Sequence, residues 1–330
     1  MKQIQLVRYG SPETTCECID SASLPPPSAG QINVAIRASA INPADLLIFE
    51  DRYPGPDALP AFVGIEGAGE VIAVGEGIDE YQVGDHVLSL GRANWAEQVC
   101  GDGNQFVKIP KELDWKSAAQ LKANPPSAYL MLENYTTLEP GDWVIQNAAN
   151  SAVGRHVIQG CKARGVKSIN IVRREELIPE LEALGADVVV VDNGNATDNM
   201  VETVRKRIGA DARVRLGIDA IGGDAVLRMA DTLSMGAPIV NYGFLSGDPC
   251  MLHPTHTIVH GLSLHGFWLV GFFQSATRQQ VVDMYTNVAQ QFLDNELQVP
   301  VEAEYALTDI STALEHANRE GRNGKILLRM

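Results

Sequence analysis

Two adjacent arginines, Arg173 and Arg174, follow the apolar run 169–172, and a cluster of small residues at 147–154 follows the apolar run Trp143–Gln146. Arginine grips phosphate through a planar, two-toothed fork. Small residues let backbone approach a bound phosphate, and a helix N-terminus offers it free N–H groups and partial positive charge. The intervening pattern predicts the elements that carry both features. A strand is expected over Trp143–Gln146, and a helix over 153–164 with Val153, Val157, Ile158 and Cys161 on one face. Gly165 stands where a helix C-terminal cap belongs. A second strand over 169–172 then completes one βαβ unit of the dinucleotide-binding kind. The turn departs from the GxGxxG pattern and carries small residues at Ala148, Ser151 and Gly154 instead. At the end of the second strand an Asp or Glu suits a free ribose 2′-hydroxyl, whereas cations suit a 2′-phosphate. The arginine pair therefore favours NADPH over NADH. The alternatives are a phosphate-free turn and a solvated surface pair.

Composition narrows the field. The chain has 330 residues, 45% of them apolar, enough for two cored domains. A net charge of −15 disfavours nucleic acid and anionic membranes as partners, because phosphate surfaces call for clustered Lys and Arg. No apolar run approaches the roughly 20 residues of a membrane span. The first residues, MKQIQLVRYGSPE, lack the apolar core of a signal peptide and the Arg/Ser richness of a transit peptide. Five scattered cysteines argue against a disulfide framework, so a cytoplasmic location is expected.

The elements that must position the phosphate turn alternate along the middle of the chain. Helix is expected at 175–184, 199–208 and 224–233, and strand at 187–192, 214–220, 238–242 and 262–269. That alternation predicts a parallel sheet covered on both faces. Residues 1–120 read instead as short strands (4–7, 32–36, 69–74, 86–90, 106–109) separated by turn chemistry. Residues 117–132 read as two short helices around a break at Asn124-Pro125-Pro126. A long amphipathic helix is expected at 279–297, and the terminal strand 325–328 returns to the β-rich part. The fold class is thus α/β, a Rossmann doubly wound parallel sheet plus a β-rich domain built from both chain ends. The expected boundaries are 1–122 and 271–330 for the β-rich catalytic domain and 123–270 for the nucleotide domain, with the active site in the cleft between them.

This organisation resembles the medium-chain dehydrogenase/reductase superfamily, whose β-rich domain is GroES-like. Many members hold a catalytic zinc through a Cys, the His of a Gly-His-Glu motif and a later Cys. The matching segments here are Asn42-Pro43-Ala44-Asp45 and Gly64-Ile65-Glu66-Gly67, and the later position falls near Lys122, so no metal is expected. His253, His256 and His260 have spacing that could suit a metal, but a surface loop leading into a helix explains them as well. Hydride transfer to an activated C=C then fits better than zinc-assisted alcohol chemistry.

Within the superfamily the chain is most similar to the 2-enoyl thioester reductases. The likeness rests on Ile41-Asn42-Pro43-Ala44-Asp45, Tyr53-Pro54, Asn124-Pro125-Pro126-Ser127-Ala128-Tyr129, the turn Gln146 to Gly154, Ile169-Asn170-Ile171-Val172-Arg173, Val240-Asn241-Tyr242-Gly243 and Gly266-Phe267-Trp268-Leu269. The resemblance implies reduction of a trans-2-enoyl thioester with NADPH, hydride going to Cβ and a proton to Cα from Tyr53. Without the resemblance Tyr53 would read as a Tyr-Pro turn residue. It also implies that Asn124 faces the nicotinamide and that Asn150, Ser151, Ala152 and Val153 form the pyrophosphate turn. Arg173 and Arg174 would hold the 2′-phosphate. Tyr242, Gly243, Phe244 and Leu245, with Phe267, Trp268 and Leu269, would line the nicotinamide pocket, and Lys325 would close the site. Phe267 and Trp268 could equally be core packing. A homodimer is implied too. Two departures stand out. The family tends to have Arg-Asp-Arg where this chain has Arg173-Arg174-Glu175, and Val270-Gly271-Phe272-Phe273 is more apolar than the family's usual continuation. The second departure, with the negative charge, leaves room for a zinc-independent NADPH:quinone or enone oxidoreductase, and after it for a non-catalytic NADPH-binding protein.

Overall fold

A computed structural model of the chain describes residues 1–194 and 199–330. It divides into two compact units, Met1–Pro126 with Ala276–Met330, and Ser127–Ser275.

In chain order the first unit contributes β1 (Lys2–Leu6), β2 (Cys16–Asp20), β3 (Gln31–Ile41), α1 (Pro43–Phe49), β4 (Ala61–Phe62), β5 (Gly67–Val74), β6 (His86–Ser89), β7 (Gln98–Asp102), β8 (Phe106–Lys108) and α2 (Trp115–Ala118). Helix α3 (Asn124–Asn134) leads into the second unit. There β9 (Trp143–Gln146), α4 (Ala152–Ala163), β10 (Lys167–Val172), α5 (Ile178–Leu184), β11 (Val188–Val191), α6 (Met200–Ile208), β12 (Val214–Asp219), α7 (Asp224–Ala230), β13 (Pro238–Asn241), α8 (Pro254–Ile258), β14 (Ser263–Gly266) and α9 (Leu269–Ser275) alternate. The chain returns to the first unit with α10 (Arg278–Leu293), β15 (Val301–Ala306), α11 (Ile310–Asn318) and β16 (Lys325–Arg329).

The second unit is a six-stranded, wholly parallel sheet in the order β11-β10-β9-β12-β13-β14. This is the doubly wound Rossmann order. Its strands are apolar on both faces. Trp143 and Ile145 join one buried cluster with residues of α6 and α7, while Val144 between them joins another with Val153 and Val157 of α4. In the first unit, β3 is long enough to pair with three strands. Its residues 31–35 face β7, its residues 38–41 face β16, and β5 runs along its other side. A separate three-stranded sheet has the order β2-β1-β4. Ile4, Leu6, Phe49 and Trp95 form the largest core of this unit with Leu314, Ile326 and Leu328 from the tail.

Some expectations need correction. The stretch expected as a strand through 269 leaves the sheet after Gly266, and Leu269 starts α9 instead. A short apolar run fits either state, and periodicity cannot separate them. Asn124-Pro125-Pro126 is not a break but the first turn of α3, where proline has no required N–H to lose. The long helix stops at Leu293, short of 297, with Asn295 in the left-handed region at φ 58°.

Candidate active site

In the second unit the residues expected at the cofactor all follow carboxyl ends of parallel strands. Asn150, Ser151, Ala152 and Val153 follow β9, and Arg173 and Arg174 follow β10. Tyr242 to Leu245 follow β13, and Phe267 to Leu269 follow β14. The strand order reverses between β9 and β12, and that switch point is where such sheets receive ligands. Ser151 caps α4, its side chain accepting from the Gly154 amide at 3.1 Å. Gly154 is there for closeness: a Cβ on it would lie 2.6 Å from the Ala149 carbonyl oxygen. Ala148 accepts a left-handed φ of 47°, where the usual pattern would favour glycine. Arg155, 3% exposed, donates from Nε to the Asn150 carbonyl at 3.1 Å and pairs with Glu180 at 2.8 Å, so the turn is held from below.

The two arginines differ. Arg174 pairs with Glu176 at 3.3 Å, whereas Arg173 is exposed and makes no ion pair among the described residues. A capped helix start, a close-approach glycine and an unpaired arginine fit a nucleotide carrying a 2′-phosphate. Sequence reasoning missed the buried group beneath the switch point. Asp219, wholly buried, accepts from the Gly222 amide at 3.0 Å, from Asn241 Nδ2 at 2.6 Å and from Asn147, while Asn147 Oδ1 accepts from the Ala220 amide at 2.8 Å. The available signal was a polar residue at the end of each of three neighbouring strands. Tyr242 and Phe267 pack against one apolar cluster of the unit. Burial pushes the Tyr242 phenol well above its usual range. Phe244, Leu245 and Trp268 are exposed.

In the first unit a second polar cluster forms around the segments matched in sequence to the zinc-holding motifs. Asn42 donates to Glu66 at 2.6 Å, and Asn124 donates to Asn42 Oδ1 at 3.1 Å. Lys325 donates to Asn42 Oδ1 at 2.5 Å and to the Ile41 carbonyl at 3.2 Å. Asp45 accepts from the amides of Asn42 at 2.8 Å and Ile65 at 2.9 Å. Glu66 also accepts from the Ala123 amide at 3.1 Å. The cluster thus brings Asn124 and Lys325 together through Asn42. All of Asn42, Asp45, Glu66, Lys122 and Lys325 are buried. Burial pushes the Asp45 carboxyl up to about 6, with the Glu66 carboxylate adding to it, against two amide donors. Burial pulls the Lys325 ammonium down to about 8 and the Lys122 ammonium down to about 7, against the pull of Glu66.

Tyr53 lies on the turn that follows α1. Asp51 there adopts a left-handed φ of 57°, and Arg92 donates to the Pro54 carbonyl at 2.6 Å. Tyr53 is half-buried and packs against the same apolar cluster as Leu59 and Ile65. His253 caps α8, and His256 is buried with Nε2 on Asp231 Oδ1 at 2.8 Å. Among the described residues no group of three or more His, Cys, Asp or Glu side chains is arranged to hold a metal ion. No helix among them is long and apolar enough to cross a membrane.

Comparison with known proteins agrees with this architecture. Residues 28–111 match the alcohol dehydrogenase GroES-like domain, and residues 152–287 match a family described as zinc-binding dehydrogenase. The chain is 36% identical over 298 residues to a mitochondrial enoyl-[acyl-carrier-protein] reductase of Caenorhabditis elegans, which covers 88% of this chain and 84% of that protein. A mitochondrial enoyl-[acyl-carrier-protein] reductase of Arabidopsis thaliana is 34% identical, covering 81% and 72%. Among solved structures, an Escherichia coli quinone oxidoreductase complexed with NADPH superimposes with a TM-score of 0.89 at 23% identity, covering all of both chains. A mutant enoyl thioester reductase from Candida tropicalis does so with a TM-score of 0.86 at 22% identity, covering 100% and 99%. These two share the fold. The chain belongs to the medium-chain dehydrogenase/reductase superfamily, in the family of the enoyl-[acyl-carrier-protein] reductases.

Proposed function

We propose that this chain, an NADPH-dependent oxidoreductase of the enoyl reductase class, reduces the C=C bond of a trans-2-enoyl thioester with Tyr53 as the proton donor. NADPH, when bound, supplies the hydride that goes to Cβ. The chain's own residues do the rest. Arg173 and Arg174 take the 2′-phosphate, and the Ser151-capped start of α4 takes the pyrophosphate. The phenol of Tyr53 stabilises the charge that develops on the substrate carbonyl and delivers a proton to Cα. The observation that carries the reading is the setting of Tyr53: a tyrosine on a turn pinned at Pro54 by Arg92, packed against the same apolar cluster as Ile65, in the β-rich unit taken as the catalytic domain.

A second reading, reduction of a free enone or quinone, draws on a separate observation. Helix α9 carries Leu269, Val270, Phe272 and Phe273, and none of its residues is buried. An apolar surface there suits a bare substrate better than the phosphates of coenzyme A. The test is steady-state NADPH oxidation with a short trans-2-enoyl-CoA, a simple enone and a quinone, for wild type and Tyr53→Phe. Preference for the thioester, with a loss of roughly 10²–10⁴-fold in the variant, supports the first reading. A preferred quinone with an unaffected variant overturns it.

The proposal includes a homodimer. Strand β14 ends the parallel sheet, with Leu264 41% exposed, and the preceding Ile258 and Val259 are 80% and 58% exposed. Such an apolar edge favours pairing with a second copy. Light scattering that finds only monomer at micromolar concentration would refute it.

A further inference from the structure

Lys122 is buried, 5% exposed, and neither cofactor binding nor the proposed proton transfer uses it. Its Nζ donates to two backbone carbonyls, that of Ile65 and that of Gly91, the latter at 2.7 Å. One segment reaches the Tyr53-Pro54 turn through Arg92, and the other shares an apolar cluster with Tyr53. Ile65 packs in the same cluster as Tyr53, and its amide is already held by Asp45. Gly91 is followed by Arg92, whose guanidinium holds the Pro54 carbonyl. The same Gly91 carbonyl accepts from Asn94 Nδ2 at 2.8 Å. The lysine is itself anchored, because its own carbonyl accepts from the buried Tyr285 hydroxyl at 2.9 Å and the next amide donates to Glu66. An ammonium in such a place is costly, since desolvating a charge outweighs what a methionine of similar length would lose by filling the space. It adds a side-chain cross-link beside the backbone bonds that already join these segments, from the Asn94 amide to the Gly64 carbonyl at 3.1 Å and from the Trp95 amide to the Val63 carbonyl at 3.0 Å.

We propose that Lys122 is a positioning residue for Tyr53: by holding the Ile65 and Gly91 carbonyls together it fixes the two segments that set the Tyr53-Pro54 turn. The inference rests on Tyr53 being the proton donor. The charged groups acting on the ammonium are Glu66, Arg92 on the adjoining turn, and Asp45; the Tyr285 hydroxyl of α10 bonds the Lys122 backbone carbonyl, and Lys325 bonds Asn42. Burial brings the ammonium down to about 7, so its charge-assisted bonds weaken as pH rises through that value.

The test measures kcat and KM with a short trans-2-enoyl-CoA for Lys122→Met and Arg92→Ala, each alone and combined with Tyr53→Phe, from acid to alkaline pH. Displacement of a catalytic group costs up to about 100-fold, so Lys122→Met should lower kcat by roughly 10–100-fold with KM for NADPH unchanged. Its loss should not add to that of Tyr53→Phe, because both remove one effect. The fall in kcat of the wild type above about pH 7 should be absent from Lys122→Met. A wild-type kcat in Lys122→Met, or a loss that multiplies with that of Tyr53→Phe, overturns the inference. If Lys122→Met does not fold, Arg92→Ala decides, since Arg92 is exposed and its removal leaves the core intact; full kcat or an additive loss there overturns the inference equally. Full turnover by Tyr53→Phe alone sinks the proton-donor reading, and this inference with it. An impaired Tyr53→Phe beside an unimpaired Lys122→Met sinks only the role of Lys122.

Discussion

Gly154→Ala is the sharpest test of how the phosphate turn is built. A Cβ at this position would stand 2.6 Å from the oxygen, 2.7 Å from the carbonyl carbon and 2.7 Å from the Cα of Ala149. All three are backbone atoms, so no side chain can swing aside. Restoring an ordinary 3.4 Å contact from the closest one, 2.6 Å, moves the start of α4 by about 0.8 Å. Two hydrogen bonds hang on that geometry: the Ser151 cap on the Gly154 amide at 3.1 Å, and Gln146 Nε2 on the Gly154 carbonyl at 2.8 Å. Overpacking costs about 1–3 kcal/mol, and each weakened bond adds about 1 kcal/mol. A total of about 3 kcal/mol in a unit of this size lowers Tm by roughly 6–12 °C. The amides proposed to take the pyrophosphate move with the helix, so NADPH affinity should fall by about tenfold, which is about 1.4 kcal/mol. Differential scanning fluorimetry and an NADPH fluorescence titration read both quantities. A variant with unchanged Tm and unchanged Kd would show that α4 does not rest on Ala149 as described.

Other substitutions test the remaining parts. Arg173→Ala should raise KM for NADPH by roughly 10–100-fold, the worth of a charge-assisted phosphate contact, while KM for NADH stays the same; equal effects on both cofactors would refute the 2′-phosphate role. Arg174→Ala should do less, because Arg174 is already engaged with Glu176. Burial lifts the Asp45 carboxyl from 3.8 to about 6, so the proton it holds stabilises the fold at low pH, and that contribution is lost as pH rises through about 6. The full effect is about 3 kcal/mol, and Asp45→Asn should remove the decline in urea stability between about pH 4 and pH 6.5; parallel curves for the two proteins would contradict the shift. Tyr285→Phe deletes the donor to the Lys122 carbonyl and should cost about 1 kcal/mol by chemical denaturation.

The middle of the chain was legible because its elements are local. Strands β9 and β10 and helix α4 lie within two residues of their expected ends, since continuous apolar runs mark strands covered on both faces and 3.6-residue spacing marks the helix between them. The β-rich unit gave less. Strand β2 has the sequence Cys-Glu-Cys-Ile-Asp with no buried face, and β7 is similarly mixed, so neither shows the alternation that a half-buried strand advertises. Helix α1, seven residues long, sits behind a turn signal at Asn42-Pro43 and hides in it. The candidate site divides in the same way. Arg173 and the Ser151 turn could be read from neighbours in sequence. The buried cluster around Asn42 could not, because Lys325 joins it from 283 residues away and Ala123 joins Glu66 from 57. Its one trace in the sequence was negative: against the zinc-holding pattern of the superfamily, the segment Asn42 to Asp45 lacks the Cys, Ile65 replaces the His, and the later position falls near Lys122.

That negative trace has a physical counterpart. A zinc ion bonded to a thiolate, an imidazole and a second thiolate would tie three separate segments of the β-rich unit to one point. Here the same segments are tied by side chains to backbone. Asp45 holds the Ile65 amide, Lys122 holds the Ile65 and Gly91 carbonyls, Glu66 holds the Ala123 amide, and Lys325 closes the set through Asn42 and Ile41. The cluster balances two acids against two bases, so it can be buried without a net charge when all four are ionised. The environment nonetheless pushes Asp45 towards its neutral form and both lysines towards theirs. A metal centre imposes rigidity and supplies a Lewis acid in one step. An ionic cluster supplies rigidity alone, and the proposed proton donor belongs to a different turn of the same unit. Tyr53, on the turn pinned by Arg92, is the group proposed for that role.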